Sequence, residues 1–144
     1  MYRLDKPATK VLNSLLNKMG EKAHLKLKRE GFFPLTVEKI GWDIDTPFGK
    51  GLLLSLAHYY EQNGDLMRCP EMVFIVIDKR GYPKDFDNLF AFAQMYQQDA
   101  LGIYEESAFI SDGRLTSFIE RLQKSHNNFA NLWLRNIRLQ GFLK

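Results

Sequence analysis

The sequence is poor in the residues that staple or metallate small domains. It has one cysteine and three histidines in 144 residues. An internal disulfide is excluded, and the common Cys/His zinc sites are not expected. No apolar run approaches the roughly 18–20 residues that cross a bilayer. The stretch 52–57 contains Ser55 and is strand-sized. No hydrophobic stretch follows the charges of residues 1–10, so no secretory signal is expected. The lone Cys69 suits a reducing cytoplasm. Missing too are a P-loop, a GxGxxG after a strand, a GxSxG, an HExxH and an EF-hand loop. No cofactor, resident metal or common hydrolase mechanism is therefore expected.

What is present is an ordinary globular composition, 45% apolar and 26% charged, with 11 Phe, 6 Tyr and 2 Trp to fill a core. The length suits one domain over residues 1–144, with no repeat, low-complexity tract or linker. The net charge of +3 hides an uneven distribution. Residues 1–50 sum to +4, residues 51–113 to −6 and residues 114–144 to +5. Such asymmetry fits a basic surface for phosphate beside an acidic middle, or basic helices that neutralise an acidic sheet at long range.

Asp5, Pro7 and apolar positions at Val11, Leu12, Leu15, Leu16 and Met19 predict a helix stopped by Gly20. Alternation over residues 24–28 and 35–42 predicts two strands around Pro34. Residues 52–62 fit a helix or a strand equally well. Asn63-Gly64, the strongest two-residue hairpin signal, and the β-branched run 73–77 decide for a hairpin. Pro70 should break or bulge its returning arm. Residues 89–98 and 103–110 read as two more strands around a turn at 99–102. A helix over 86–97 is the alternative for the first of them. After Ser111-Asp112-Gly113, the positions Leu115, Phe118, Ile119 and Leu122 read as helical, with Ser117 and Glu120 as a capping box. Ser125-His-Asn-Asn128 should weaken that helix. A last helix carrying Phe129, Leu132, Trp133 and Ile137 then closes at Gly141.

The word His58-Tyr-Tyr-Glu-Gln-Asn-Gly-Asp-Leu-Met-Arg-Cys-Pro-Glu-Met72 resembles a pattern in an uncharacterised bacterial domain family of phage, plasmid and other mobile-element proteins. Gln98-Asp99 with Gly102 and Tyr104, and Phe129, Trp133 and Asn136 before Gln140-Gly141-Phe142, are similar to it as well. The likeness runs in scattered words over residues 50–142. Cys69 stands where the pattern has Asp, so any acid or ligand role of that Asp is missing here. The resemblance implies a mobile-element accessory domain and no particular chemistry.

Three constellations carry the functional alternatives. A tight hairpin lets His58, Glu61, Asp65, Glu71 and Asp78 converge, with His58 as a base and the carboxylates holding Mg²⁺ or orienting water, and His58, Asp65 and Glu71 as the catalytic candidates. The opposed account is structural: His58 donates to a backbone carbonyl and the Gln-Asn-Gly-Asp word is turn chemistry. Strand alternation puts His58 and Glu61 on opposite faces unless the strand bulges. Second, Lys26 and Lys28 on the first strand, with Arg121, Lys124, Arg135 and Arg138 on the last helices, fit a phosphate-binding surface or an ordinary solvated face. Third, Phe32, Phe33, Trp42, Tyr59, Tyr60, Phe90, Phe92 and Tyr96 fit a core, a base-stacking sheet or a protein-contact surface. Cys69 beside Arg68 lacks a base partner and reads as an incidental thiol.

The expected fold is α+β: an N-terminal helix, a mainly antiparallel sheet of about five or six strands, and a C-terminal helical pair packed on one face. The expected function is a small cytoplasmic, non-enzymatic binding module for a protein or nucleic acid, without membrane contact. The alternative is a metal-dependent or acid–base enzyme built on His58, Asp65 and Glu71.

Overall fold

The computed structural model describes all 144 residues. Helix α1 spans Lys6–Met19. The Asp5 carboxylate accepts the Ala8 N–H at 3.0 Å, Pro7 lies in the first turn, and Gly20 leaves the helix at φ 57°. That φ is open to glycine at little steric cost. The stripe Ala8, Val11, Leu12, Leu15, Leu16 and Met19 is buried, as its spacing predicts.

Eight strands follow: β1 (His24–Leu27), β2 (Leu35–Thr46), β3 (Gly49–Gln62), β4 (Asp65–Asp78), β5 (Leu89–Gln98), β6 (Ile103–Glu106), β7 (Ala108–Ser111) and β8 (Arg114–Phe118). Helix α2, Glu120–Leu139, comes after them. The strand order is β6-β5-β4-β3-β2-β8-β7, with β1 pairing separately with β2. Every pairing is antiparallel except β2 with β8. The long β3–β4 hairpin forms as the Asn63-Gly64 signal demands, with φ of 53° and 85° at the two turn residues. Its register shifts between Ala57 and Tyr59, opposite Cys69 and Pro70, where the missing proline N–H interrupts the ladder.

Several expectations need correction. The sheet has eight strands rather than five or six. The strand expected over 103–110 is divided at Ser107, whose N–H donates to Gln94 O at 2.9 Å while β7 turns away to pair with β8. Residues 114–118, expected to be helical, form β8, because Asp112 and Gly113 adopt φ of 52° and 74° and make a second tight hairpin turn. The C-terminal helical pair is consequently a single helix. Ser117 does not cap it; Ile119 occupies the cap position with no side-chain bond. The polar tract 125–128 does not weaken α2, because His126 and Asn127 point at tertiary partners and leave the local backbone alone.

Both helices lie on one face of the sheet. Their apolar stripes meet Leu35, Val37, Leu54, Leu56, Met72, Phe74, Val76, Leu89, Ala91 and Ala93 in the main core. The opposite face carries a smaller core of Ile75, Ile77, Phe92 and Ala108. It exists because the sheet curls: Gln94 Nε2 on β5 donates to Ala108 O on β7 at 2.9 Å, joining one end of the strand order to the strand beside the other end.

Candidate functional site

The hairpin word is legible residue by residue. His58 lies on the helix-covered face, packed against Trp133 (ring centroids 5.7 Å) and Phe142 (5.4 Å). Its Nδ1 is 3.0 Å from Phe33 O, and a carbonyl only accepts, so Nδ1 carries the proton. Burial holds the imidazole below its ordinary value of 6.5, against the opposing pull of the Phe33 and Pro34 backbone. His58 is thus a neutral, internally bonded ring at pH 7. Glu71 faces the other side of the sheet, where it accepts from Ser55 Oγ and lies 2.9 Å from Arg68 Nε. Arg68 also holds Asp99, through its backbone N–H at 2.8 Å and its NH1 at 3.3 Å. Asp65 is exposed beside the turn, paired in register with Gln62. Asp78, at the far end of β4, takes a bidentate bond from Arg80 that holds its carboxyl below the usual range. The hairpin therefore does not bring His58, Asp65 and Glu71 together, and no group of three or more His, Cys, Asp or Glu is arranged to hold a metal.

A constellation the sequence reading missed lies under α2. His126 Nδ1 is 2.8 Å from Ser107 Oγ, and its Nε2 is 3.1 Å from Glu105 Oε1. The connectivity is that of a serine–histidine–carboxylate relay. Ser107 is fully buried, at 0% exposure, so no substrate reaches it. The relay ties the β6–β7 junction to α2. Gln123 and Asn127 act similarly: Gln123 brackets Tyr2 (N–H donating at 2.7 Å, carbonyl accepting at 2.9 Å), and Asn127 donates to Arg3 O at 2.8 Å. The available signal was positional, since residues 123, 126, 127, 130, 133, 134 and 137 share one helical face with the apolar stripe.

The helical layer is where charge gathers. Helix α1 carries Lys6, Lys10 and Lys18 and no acid; α2 carries Arg121, Lys124, Arg135 and Arg138 against Glu120 alone. At 3.6 residues per turn the four α2 cations fall within an arc of about 100° and extend over about 26 Å of helix. The arc faces the start of α1: Arg135 pairs with Asp5, and Asn131 Oδ1 accepts the Asp5 N–H at 2.9 Å. Arg135 is the only one of the seven cations with a carboxylate in ion-pair reach. Lys6 and Lys10 rest on the Phe86 ring, at 5.5 and 5.0 Å from its centroid, and Lys124 sits 5.5 Å over Tyr2.

Lys26 and Lys28 do not join this layer. Lys26 stands across β2 from Thr36 and Ala57 and lines a groove of about 890 Å³ on the far face of the sheet, with Glu38, Tyr59, Tyr60 and Glu61. Lys28 follows β1 in an exposed loop. The aromatics divide between core and surface, with Phe33 stacked on Tyr60 at 5.2 Å and Phe92 stacked beneath Phe48 at 5.0 Å.

Fold and site together define an α+β domain in which two basic helices cover one face of a curled antiparallel sheet. The chain belongs to the family described as Domain of unknown function (DUF6908), whose model matches residues 9–143. No curated protein and no solved structure matches the chain.

Proposed function

We propose that this domain is a non-enzymatic nucleic-acid-binding module whose contact surface is the outer side of the α1–α2 layer. The observation that carries it is the stripe of Arg121, Lys124 and Arg138 on one side of α2, beside Lys6 and Lys10 of α1, with no carboxylate pairing any of the five. Long basic side chains on a straight helix suit a polyanion with regularly spaced phosphates. No helix-turn-helix, finger or RNA-binding word is present, so the contact is to backbone rather than to bases. A catalytic use of His58, Asp65 and Glu71 has no such support, because those residues stand apart and His58 is occupied by Phe33. In this reading the protein is a cytoplasmic accessory domain of mobile-element origin, as its hairpin word implies.

The test is fluorescence anisotropy of labelled duplex and single-stranded DNA at about 50 mM salt, where phosphate contacts are strongest. Micromolar or tighter binding that weakens steeply with salt is the expected result. No binding to either probe under those conditions refutes the reading, and association with an acidic protein alone would replace it.

A further inference from the structure

One part of the basic layer is a cleft rather than a surface. Lys6, Lys10 and Ser14 of α1 and Arg138 of α2 enclose a cavity of about 370 Å³, walled by Pro7, Val11 and Leu143. No acidic residue lines it. Both ammonium groups lie over the Phe86 ring just outside the lining, and the Ser14 hydroxyl donates to Lys10 O at 3.1 Å. Its charge is therefore three cations without a counter-ion.

We infer that the cleft between α1 and α2, formed by Lys6, Lys10 and Arg138, takes the terminal phosphate monoester of a nucleic-acid end. This rests on the nucleic-acid reading above. The choice of ligand follows from charge. An internal phosphodiester carries one negative charge, whereas a terminal monoester carries about −1.5 to −2 at pH 7. Cations along a flat helix face meet diesters one by one; three basic residues lining one small cavity suit the doubly charged group. The volume sits at the low end of small-ligand sites and accepts a phosphate with part of its sugar. The apolar wall of Pro7, Val11 and Leu143 suits the sugar's less polar side. The remaining α2 cations, Arg121 and Lys124, lie about 21–26 Å along the helix and hold the strand that runs on from the anchored end.

The experiment compares one oligonucleotide with a 5′-phosphate, a 3′-phosphate or hydroxyl ends, by competition at about 50 mM salt. An extra charge facing three cations is worth a factor of about ten, so a phosphorylated end should bind about tenfold tighter than the hydroxyl form. The 5′ and 3′ arms tell which end is held. Lys10→Gln with Arg138→Gln should abolish the preference, while Arg121→Gln with Lys124→Gln should weaken all three probes and keep it. All four positions are exposed, so circular dichroism should report unchanged folding. Equal affinity for phosphorylated and hydroxyl ends overturns this inference and leaves the module reading standing. So does a preference that survives Lys10→Gln with Arg138→Gln. Failure of every probe to bind overturns both.

Discussion

The salt dependence of nucleic-acid binding can be worked from the structure before it is measured. Five cations of the helical layer, Lys6, Lys10, Arg121, Lys124 and Arg138, are exposed and free of carboxylates, whereas Arg135 is held by Asp5. On a duplex with hydroxyl ends, which brings no terminal monoester to the cleft, each phosphate neutralised adds about −0.9 to the slope of log K against log salt, so about five contacts, one per cation, give a slope near −4.5. Raising salt from about 50 to about 200 mM should then weaken binding about 500-fold. Replacing Arg121 and Lys124 together by Gln removes about two contacts, and the slope should flatten to about −2.7. With affinities converging near 1 M salt, the double variant should bind about 200-fold more weakly at about 50 mM. Lys50, on β3 outside the helical layer and paired with Asp45, serves as the control, and Lys50→Gln should leave the slope alone. Anisotropy titrations of a labelled duplex of about 20 base pairs across the salt range supply all three lines. A parent slope shallower than about −2, or a slope that the double variant does not change, refutes the assignment of contact to this face.

Four further outcomes follow from the fold. His58 is held below its ordinary pKa by burial, so the unfolded chain binds the extra proton first; stability should be steady above about pH 6.5 and fall as pH drops below it. His58→Gln should lower overall stability and flatten that part of the profile in denaturant titrations. The depressed carboxyls of Asp78 and Asp85 act in a separate window, removing stability only below about pH 4. Phe74 is fully buried at the centre of β4, and Phe74→Ala should cost about 3–5 kcal/mol in chemical denaturation, with a midpoint near wild type showing the core to be misassigned. Gly64→Ala should cost about 1–2 kcal/mol, because φ of 85° is strained for a side chain even in open space; an unchanged melting temperature would mean the turn has another form.

The sequence exposed most of the local structure and little of the closure. Asp5, Pro7 and Gly20 delimit α1 because caps are chemical signals carried by single residues. Asn63-Gly64 decided a strand over a helix for residues 52–62 because a two-residue turn with positive φ leaves the flanking arms no other course. The same signal stood at Asp112-Gly113 and was outweighed by an accidental helical spacing of Leu115, Phe118, Ile119 and Leu122. Five residues of β8 are too few for periodicity to separate strand from helix. Ser107 gave no sign of dividing two strands, since the division depends on Gln94, which lies 13 residues away. Of the candidate site residues, Arg121, Lys124, Arg135 and Arg138 share one face of α2 because one helix carries them all. Lys26 and Glu71 fall elsewhere because strand alternation and the curl of the sheet set their direction.

The passage from β6 to β7 through Ser107 alone makes the sheet resemble a hoop with a seam. The chain crosses from one rim to the other in a single residue, pinned on both sides by Gln94 and His126. Extra residues spliced in at that point would pry the hoop open, whereas the bend at Asp112-Gly113, out in solvent, should accept a peptide tag or a grafted loop.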